Sequence, residues 1–370
     1  MTGWVGAHLA LYYQTGDFFC LWSGARSLVL GHDPYDVQWW TSITGGLFPD
    51  PWRGLATSSC TSYFAYPLWT AVALLPLGVL PLEFAASLWM ALSIGAVVFG
   101  TSQLWRAYAG TRENAALFAA LVVGSQPFWV LLVGGQLTGV LLGLSGAAAA
   151  SIARREEKRA GSALALLALK PQLVVVTLPA MLVRLWAGQR RRAVATAIAV
   201  GLAMTAVPLL FVYAWPIEWL ATVGPQRLRV AGLFPTAWGF AADILGSAWW
   251  GVALIAVLVV LVAVVVRGVD LLALFALAVP FSLVVTPHAW SYDFLLLAVS
   301  WAFVLGRLAL ASSVTRYLLL GALMLIASPI PWVLYGVGFA RGVETVSVVV
   351  PIATALLVAT ATRQRRAVSA

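Results

Sequence analysis

Charge is scarce in this sequence. Of 370 residues only 9% are charged, against 62% hydrophobic, and the mean hydropathy is +0.94. A soluble globular domain carries about 25% charged residues. So little charged surface could not cover so large an apolar core, which excludes a folded water-soluble protein. The same apolar content excludes a disordered chain. With only two cysteines, neither a disulfide scaffold nor a cysteine-rich metal site can be built. A Walker A loop, a Gly-x-Gly-x-x-Gly before a helix, a His-Glu-x-x-His and a Cys-x-x-Cys are all absent. No segment carries a ladder of arginines like a voltage sensor. No period of about 20–50 residues repeats, against a solenoid. No two halves resemble each other, which counts against a secondary transporter.

Long apolar runs are what the sequence has in quantity. Runs with little or no charge cover 64–82, 84–105, 115–153, 161–183 and 193–213, then 249–266, 271–285, 294–306, 317–333 and 346–362. The third is long enough for two passes, since a crossing takes about 20 residues. The runs are continuously apolar rather than alternating, so a β-barrel is excluded. The expected fold is all-α: a polytopic transmembrane bundle of about eleven to twelve spans. It reads as one integral membrane domain over 1–370. Its parts are an outer segment 14–63, a first helical group 64–213, an outer loop 214–248 and a second helical group 249–370. Gly134-Gly135 and Lys170-Pro171 are the points where a run would break or re-enter.

The N-terminus is short for a span. Trp4 to Tyr13 is apolar, but ten helical residues reach only about 15 Å. It is either the outer end of a helix whose start is missing or an interfacial segment. Without a basic n-region, a signal peptide is not expected.

The net charge of +9 would suggest nucleic acid in a soluble protein. Here most basic residues sit in short clusters between apolar runs, so they report topology, and no nucleic-acid partner is expected. Arg184 with Arg190-Arg191-Arg192, Arg267, Arg307 with Arg316, and Arg363 with Arg365-Arg366 all fall on one side, cytoplasmic by the positive-inside rule. The segments 14–63, 214–248, 286–293 and 334–345 then face outward. Simple counting puts Arg154-Arg155-Glu156-Glu157-Lys158-Arg159 outside too, against the rule, so the topology of 106–183 stays open.

Most of the thirteen acidic residues lie in outer segments, and chemistry is to be sought there. Asp17 opens a stretch with helical apolar spacing that suits an amphipathic interfacial helix, either as its N-cap or as a carboxylate able to take a proton from a hydroxyl. His288 sits in Thr286-Pro287-His288-Ala289-Trp290-Ser291-Tyr292-Asp293, either an aromatic-belt loop or a hydrogen-bonding site. Lys170, one of only two lysines, needs a cavity or a partner if it lies deep in the bilayer, and snorkels if shallow. Gln136 needs a hydrogen-bond partner from a helix or a ligand. Arg227 and Arg229, basic on the outside, suit a phosphate or a headgroup. Cys20 and Cys60 share a compartment that permits a disulfide, with buried thiols as the alternative.

Four stretches occur together in a telling order. They are Gly16-Asp17-Phe18-Phe19 through Gly31-His32-Asp33-Pro34-Tyr35-Asp36, then Phe64-Ala65-Tyr66-Pro67 with Leu75 to Pro81 and Leu88-Trp89. Next come Gly135-Gln136-Leu137-Thr138-Gly139 and Ala168-Leu169-Lys170-Pro171-Gln172. With a weaker fifth at Thr286-Pro287-His288-Ala289-Trp290, the chain resembles glycosyltransferase family 87 over about 16–293. That family comprises polyprenol-phosphate-mannose-dependent mannosyltransferases of GT-C type. The resemblance implies a multi-pass cell-membrane enzyme whose active site lies on the non-cytoplasmic face. It moves a sugar, mannose by resemblance, from a polyprenyl-phosphate donor to a lipid or glycan acceptor with inversion. Asp17 matches the family's catalytic acid, although a full helix before it is lacking. His288, Lys170, Gln136, Arg227, Arg229 and Tyr66 are the expected substrate-binding residues. Where the family often has a second His after the fifth stretch, this chain has Asp293. A phosphate already leaves well, so no metal or other cofactor is required in principle. The oligomeric state is not legible. A transporter or flippase of lipid-linked sugars would also account for Lys170 and Gln136, but not for the outer carboxylate.

Overall fold

The computed structural model describes residues 16–45, 63–108, 114–265, 269–308 and 312–369, apart from the side chains of 45, 224–229, 260–265 and 364–369. All regular structure in these residues is helical. Trp4 to Tyr13 and Cys60 lie outside them.

Among the described residues four helices are long and apolar enough to cross a bilayer: Leu82–Tyr108, Arg191–Leu210, Ser313–Arg341 and Thr345–Arg363. A fifth crossing arises if Ala115–Gly124 and Gln126–Gly134, bent by 54° at Ser125, count as one. Only 22–44% of each of the four spans is buried. What they expose is apolar, for example Phe84, Leu202, Val333 and Leu356, as a lipid-facing surface requires. The protein is thus an all-α polytopic membrane bundle. Among the described residues it has fewer full-length spans than the sequence has apolar runs, in part because two of those runs are broken. The run 115–153 is divided into Ala115–Gly124, Gln126–Gly134 and Thr138–Ala153, and 161–183 is interrupted by two 3-10 turns at Leu167–Leu169 and Pro171–Val174. Both expected break points are real ones.

Two compact units form. The first comprises 1–95, 130–137 and 201–228. Its centre is the helix Asp17–Val29. Asp17 is the first helical residue and Gly16 the cap, so the acid stands one position further in than an N-cap. The helix is buried on more than one face: Phe18, Phe19, Cys20, Leu21, Ala25 and Leu28 are all enclosed, more than an interfacial helix would bury. Cys20 is disulfide-bonded.

The short helices Leu68–Ala73 and Leu75–Gly78 pack on this helix. Close approach there depends on Gly78, where a Cβ would stand 2.7 Å from the Ala25 carbonyl carbon. Trp22 Nε1 donates to the Leu80 carbonyl at 3.1 Å, and Arg26 to the Gly78 carbonyl at 3.2 Å. The helix ends in a left-handed turn at Gly31 (φ +76°). Asp36 Oδ1 then accepts the Gln38 and Trp39 N–H groups and starts the helix Val37–Gly45.

The second unit comprises 96–129, 138–200 and 229–370. Its core is the helix Leu271–Val285, buried continuously from Ala273 to Val284 and capped by Asp270, which accepts the Ala273 N–H at 2.8 Å. The helix Ala298–Arg307 packs beside it, with the Ser300 hydroxyl on the Ala276 carbonyl at 2.6 Å. Ser282 Oγ accepts the N–H groups of Val176 and Thr177 and so satisfies the start of the helix Thr177–Ala187.

Candidate active site

In the first unit the acid and the amide of two family-like stretches meet. Asp17 stands at the start of its helix, where the positive end of the helix dipole favours a carboxylate. Gln136 is placed by the end of Gln126–Gly134. Gly135 adopts a left-handed φ of +64°, the Gly135 N–H bonds Leu132 O at 3.3 Å, and the Gln136 N–H bonds Leu131 O at 3.1 Å. That double bond is the Schellman ending, and it needs glycine at its left-handed position. Trp89 fixes the same turn, its Nε1 donating to the Gly135 carbonyl at 2.8 Å while its ring stacks on Phe18 at 5.7 Å.

Gln136 Nε2 donates to Asp17 Oδ2. A carboxylate only accepts, so this contact fixes the amide's orientation. Gln136 is 2% exposed, and its Oε1 has no hydrogen-bond partner among the described residues. Such a buried acceptor is costly unless something donates to it, and a substrate hydroxyl would do so. Tyr66 is buried, its ring against Phe64 and its carbonyl accepting the Tyr35 hydroxyl at 2.7 Å. Burial, and then the charges of Asp33 and Glu218, push the Tyr35 phenol well above its ordinary value. Asp36 starts a helix, and Asp33 Oδ1 accepts the Tyr35 N–H at 2.8 Å while its carboxyl also hydrogen-bonds that of Glu218. Arg227 is in the last turns of the helix Trp215–Arg229, of which Arg229 is the final residue; both side chains lie outside those described.

In the second unit Lys170 finds a partner. Pro171 disfavours helical geometry at the residue before it, and Lys170 takes φ −129°, ψ 77° between the two 3-10 turns. Its Nζ reaches Asp293 Oδ1 at 2.7 Å and lies 4.9 Å from the centre of the Tyr292 ring. Lys170 is 1% exposed and Asp293 0%. The Thr138 hydroxyl donates to the same Oδ1 at 2.6 Å and the Trp290 N–H to Oδ2 at 3.1 Å. A buried ion pair persists only with such additional donors.

Beside it, Glu344 Oε2 accepts the Ser291 N–H at 2.8 Å, and Gln126 Nε2 donates to Ser291 Oγ at 3.0 Å. Burial, with Asp293 nearby, holds the Glu344 carboxyl above the usual carboxylate range despite the Ser291 bond. His288 is 7% exposed and set edge-on to Phe234, ring centres 4.2 Å apart. Its N–H meets Thr286 Oγ1 at 3.3 Å.

Sequence reasoning singled out Asp17, Gln136 and Lys170 and missed the acceptor of the lysine. Asp293 stood in view as part of the hydrogen-bonding stretch around His288 and as a departure from a motif, not as a partner of Lys170, and Thr138 only as part of the Gln136 stretch. Glu344 and Gln126 carried no signal beyond being polar in apolar surroundings. Among the described residues no three His, Cys, Asp or Glu side chains group as a metal centre would need.

Fold and site together define a multi-pass membrane protein with a half-buried carboxylate at a helix start and, against it, a buried amide whose oxygen has no partner among the described residues. The family model of glycosyltransferase family 87 matches residues 64–287, more than half of the chain. The chain belongs to that family and is a membrane glycosyltransferase. The matched stretch contains Tyr66, Gln136, Lys170, Arg227 and Arg229; Asp17 precedes it, and His288 and Asp293 follow it. No curated protein matches the chain.

Proposed function

We propose that the protein transfers mannose from a polyprenyl-phosphate donor to a lipid or glycan acceptor at the non-cytoplasmic face of the cell membrane, with Asp17 as general base. The observation that carries this reading is the Asp17–Gln136 contact. It joins two stretches far apart in the chain around one carboxylate and leaves an amide oxygen in need of a donor. In the proposed step the acceptor hydroxyl loses its proton to Asp17 as its oxygen bonds the anomeric carbon. The bond from that carbon to the phosphate oxygen breaks, and polyprenyl phosphate departs with the electron pair. One displacement inverts a β-linked donor to an α-linked product. Gln136 orients the carboxylate and accepts from a sugar hydroxyl; Tyr66 walls the same unit.

The leaving phosphate calls for cationic donors, the role proposed for Arg227 and Arg229. Lys170 and His288 belong to the second unit, and there the Lys170 ammonium is already paired with Asp293. The non-cytoplasmic placement rests on the arginine clusters.

Asp17→Asn tests the base directly. It should fold, keep the Gln136 contact in altered form, and lose sugar transfer by about 10²–10⁴-fold. A purified variant with more than about a tenth of the wild-type rate would remove Asp17 from this role.

A further inference from the structure

A groove of about 480 Å³ lies in the second unit, lined by the helices Leu82–Tyr108, Thr138–Ala153 and Glu157–Leu166. None of its residues takes part in the chemistry above. Two of the helices touch backbone to backbone: a Cβ on Gly146 would fall 2.5 Å from the Gly100 carbonyl oxygen, and one on Gly143 3.1 Å from that of Ala96. They therefore run parallel here, with Ala96 level with Gly143 and Gly100 with Gly146.

That register sorts the lining into layers. Leu144 and Ser151 share one face of Thr138–Ala153 and Arg154 follows its last residue, passing from apolar to hydroxyl to cation. Phe99 and then Gln103, a turn further on, repeat the gradient on the first helix. On the third, Lys158 and Arg159 stand at the start, Ser162 in the middle and Leu166 at the end. One end of the groove is thus apolar, the middle carries an amide and two hydroxyls, and the mouth is cationic.

At the mouth Glu156 pairs with Arg154 and Arg159, each at 3.1 Å. The run Arg154 to Arg159 carries four cations and two carboxylates, a net two positive charges, and Lys158 has no ion-pair partner among the described residues. Basic pockets between membrane helices attract anionic headgroups.

We propose that this groove binds an anionic glycerophospholipid of the surrounding bilayer, phosphate at Lys158 and Arg154 and one acyl chain along Phe99 and Leu144. The middle layer decides the lipid class. A glycerophospholipid carries ester carbonyls just below its phosphate, where the Ser151 and Ser162 hydroxyls and the Gln103 amide can donate. A polyprenyl phosphate is bare hydrocarbon at that depth and would leave those groups unmatched. Phe99 lies on the exposed surface, so a lipid can enter sideways from the membrane.

Native mass spectrometry of the full-length protein in detergent, titrated with phosphatidylglycerol, phosphatidylcholine or a polyprenyl phosphate, tests this. Phosphatidylglycerol should bind at the lowest concentration. Lys158→Gln, at an exposed position, should weaken it about fivefold, the worth of roughly one cation near a membrane surface. Arg192→Gln removes an equal charge outside the groove and should leave binding unchanged, whereas Ser162→Val should weaken both glycerophospholipids and leave the polyprenyl phosphate unaffected. Equal losses from Lys158→Gln and Arg192→Gln, equal binding of phosphatidylcholine, or a preference for polyprenyl phosphate would each overturn the assignment.

Discussion

At the scale of single residues, buried polar groups carry the account, because each must be answered by a partner in an apolar bundle. Asp17 is answered by Gln136 and Lys170 by Asp293. Glu344 is answered only in part, and its behaviour with pH is a prediction. Its folded carboxyl holds a proton more tightly than an unfolded one, whose value is about 4.3. The stability it contributes is therefore present below that value and lost as pH rises through the folded one. Glu344→Gln keeps an acceptor for the Ser291 N–H and cannot ionise. Thermal melts of the purified protein between about pH 4 and 8 should show the wild type losing ground to the variant as pH rises. A difference between the two that stays flat across that range would contradict the buried, proton-retaining carboxyl.

At the scale of elements, the functional residues sit where helices stop. Gly135 ends one helix in a left-handed turn and presents Gln136; Pro171 stops another and leaves Lys170 between two 3-10 turns. The Lys170–Asp293 pair ties that break to the turn beginning at Ser291. Lys170→Met leaves Asp293 buried and uncompensated and should cost about 3–5 kcal/mol, seen as a large fall in melting temperature. Lys170→Met combined with Asp293→Asn removes both charges while keeping an acceptor for the Trp290 N–H, and should recover much of that loss. A double variant less stable than Lys170→Met alone would show that the pair is not the feature at stake. The Gly-Gly and Lys-Pro break points were legible, since each stands out in an otherwise apolar run, whereas the 54° bend at Ser125 carried no such signal. The pairings were not legible: Gln136 and Asp17 are 119 residues apart, Lys170 and Asp293 are 123, and no local pattern links such positions.

At the scale of the whole molecule, composition alone fixes the class. A chain with 9% charged residues and a mean hydropathy of +0.94 has no stable home in water, and it folds as an all-helical membrane bundle. The number of full spans was harder to read, because an apolar run does not reveal where its helix will bend or tighten into a 3-10 turn. Sidedness follows from arginine placement and is open to a direct check. Ser42 is exposed on the helix Val37–Gly45, so Ser42→Cys should react with an impermeant maleimide added to intact cells. Labelling only after lysis would invert the proposed topology.

The central claim is the use of a lipid-linked monosaccharide phosphate, and it is tested most directly by offering the purified enzyme a choice of donors. A synthetic polyprenyl-phosphate mannose, with envelope lipid extract as acceptor and EDTA present, should yield mannosylated lipid and free polyprenyl phosphate. GDP-mannose under the same conditions, with no added carrier lipid, should yield neither. Transfer from GDP-mannose, or none from the polyprenyl-phosphate donor by an enzyme that is folded and active on another sugar donor, would contradict the account.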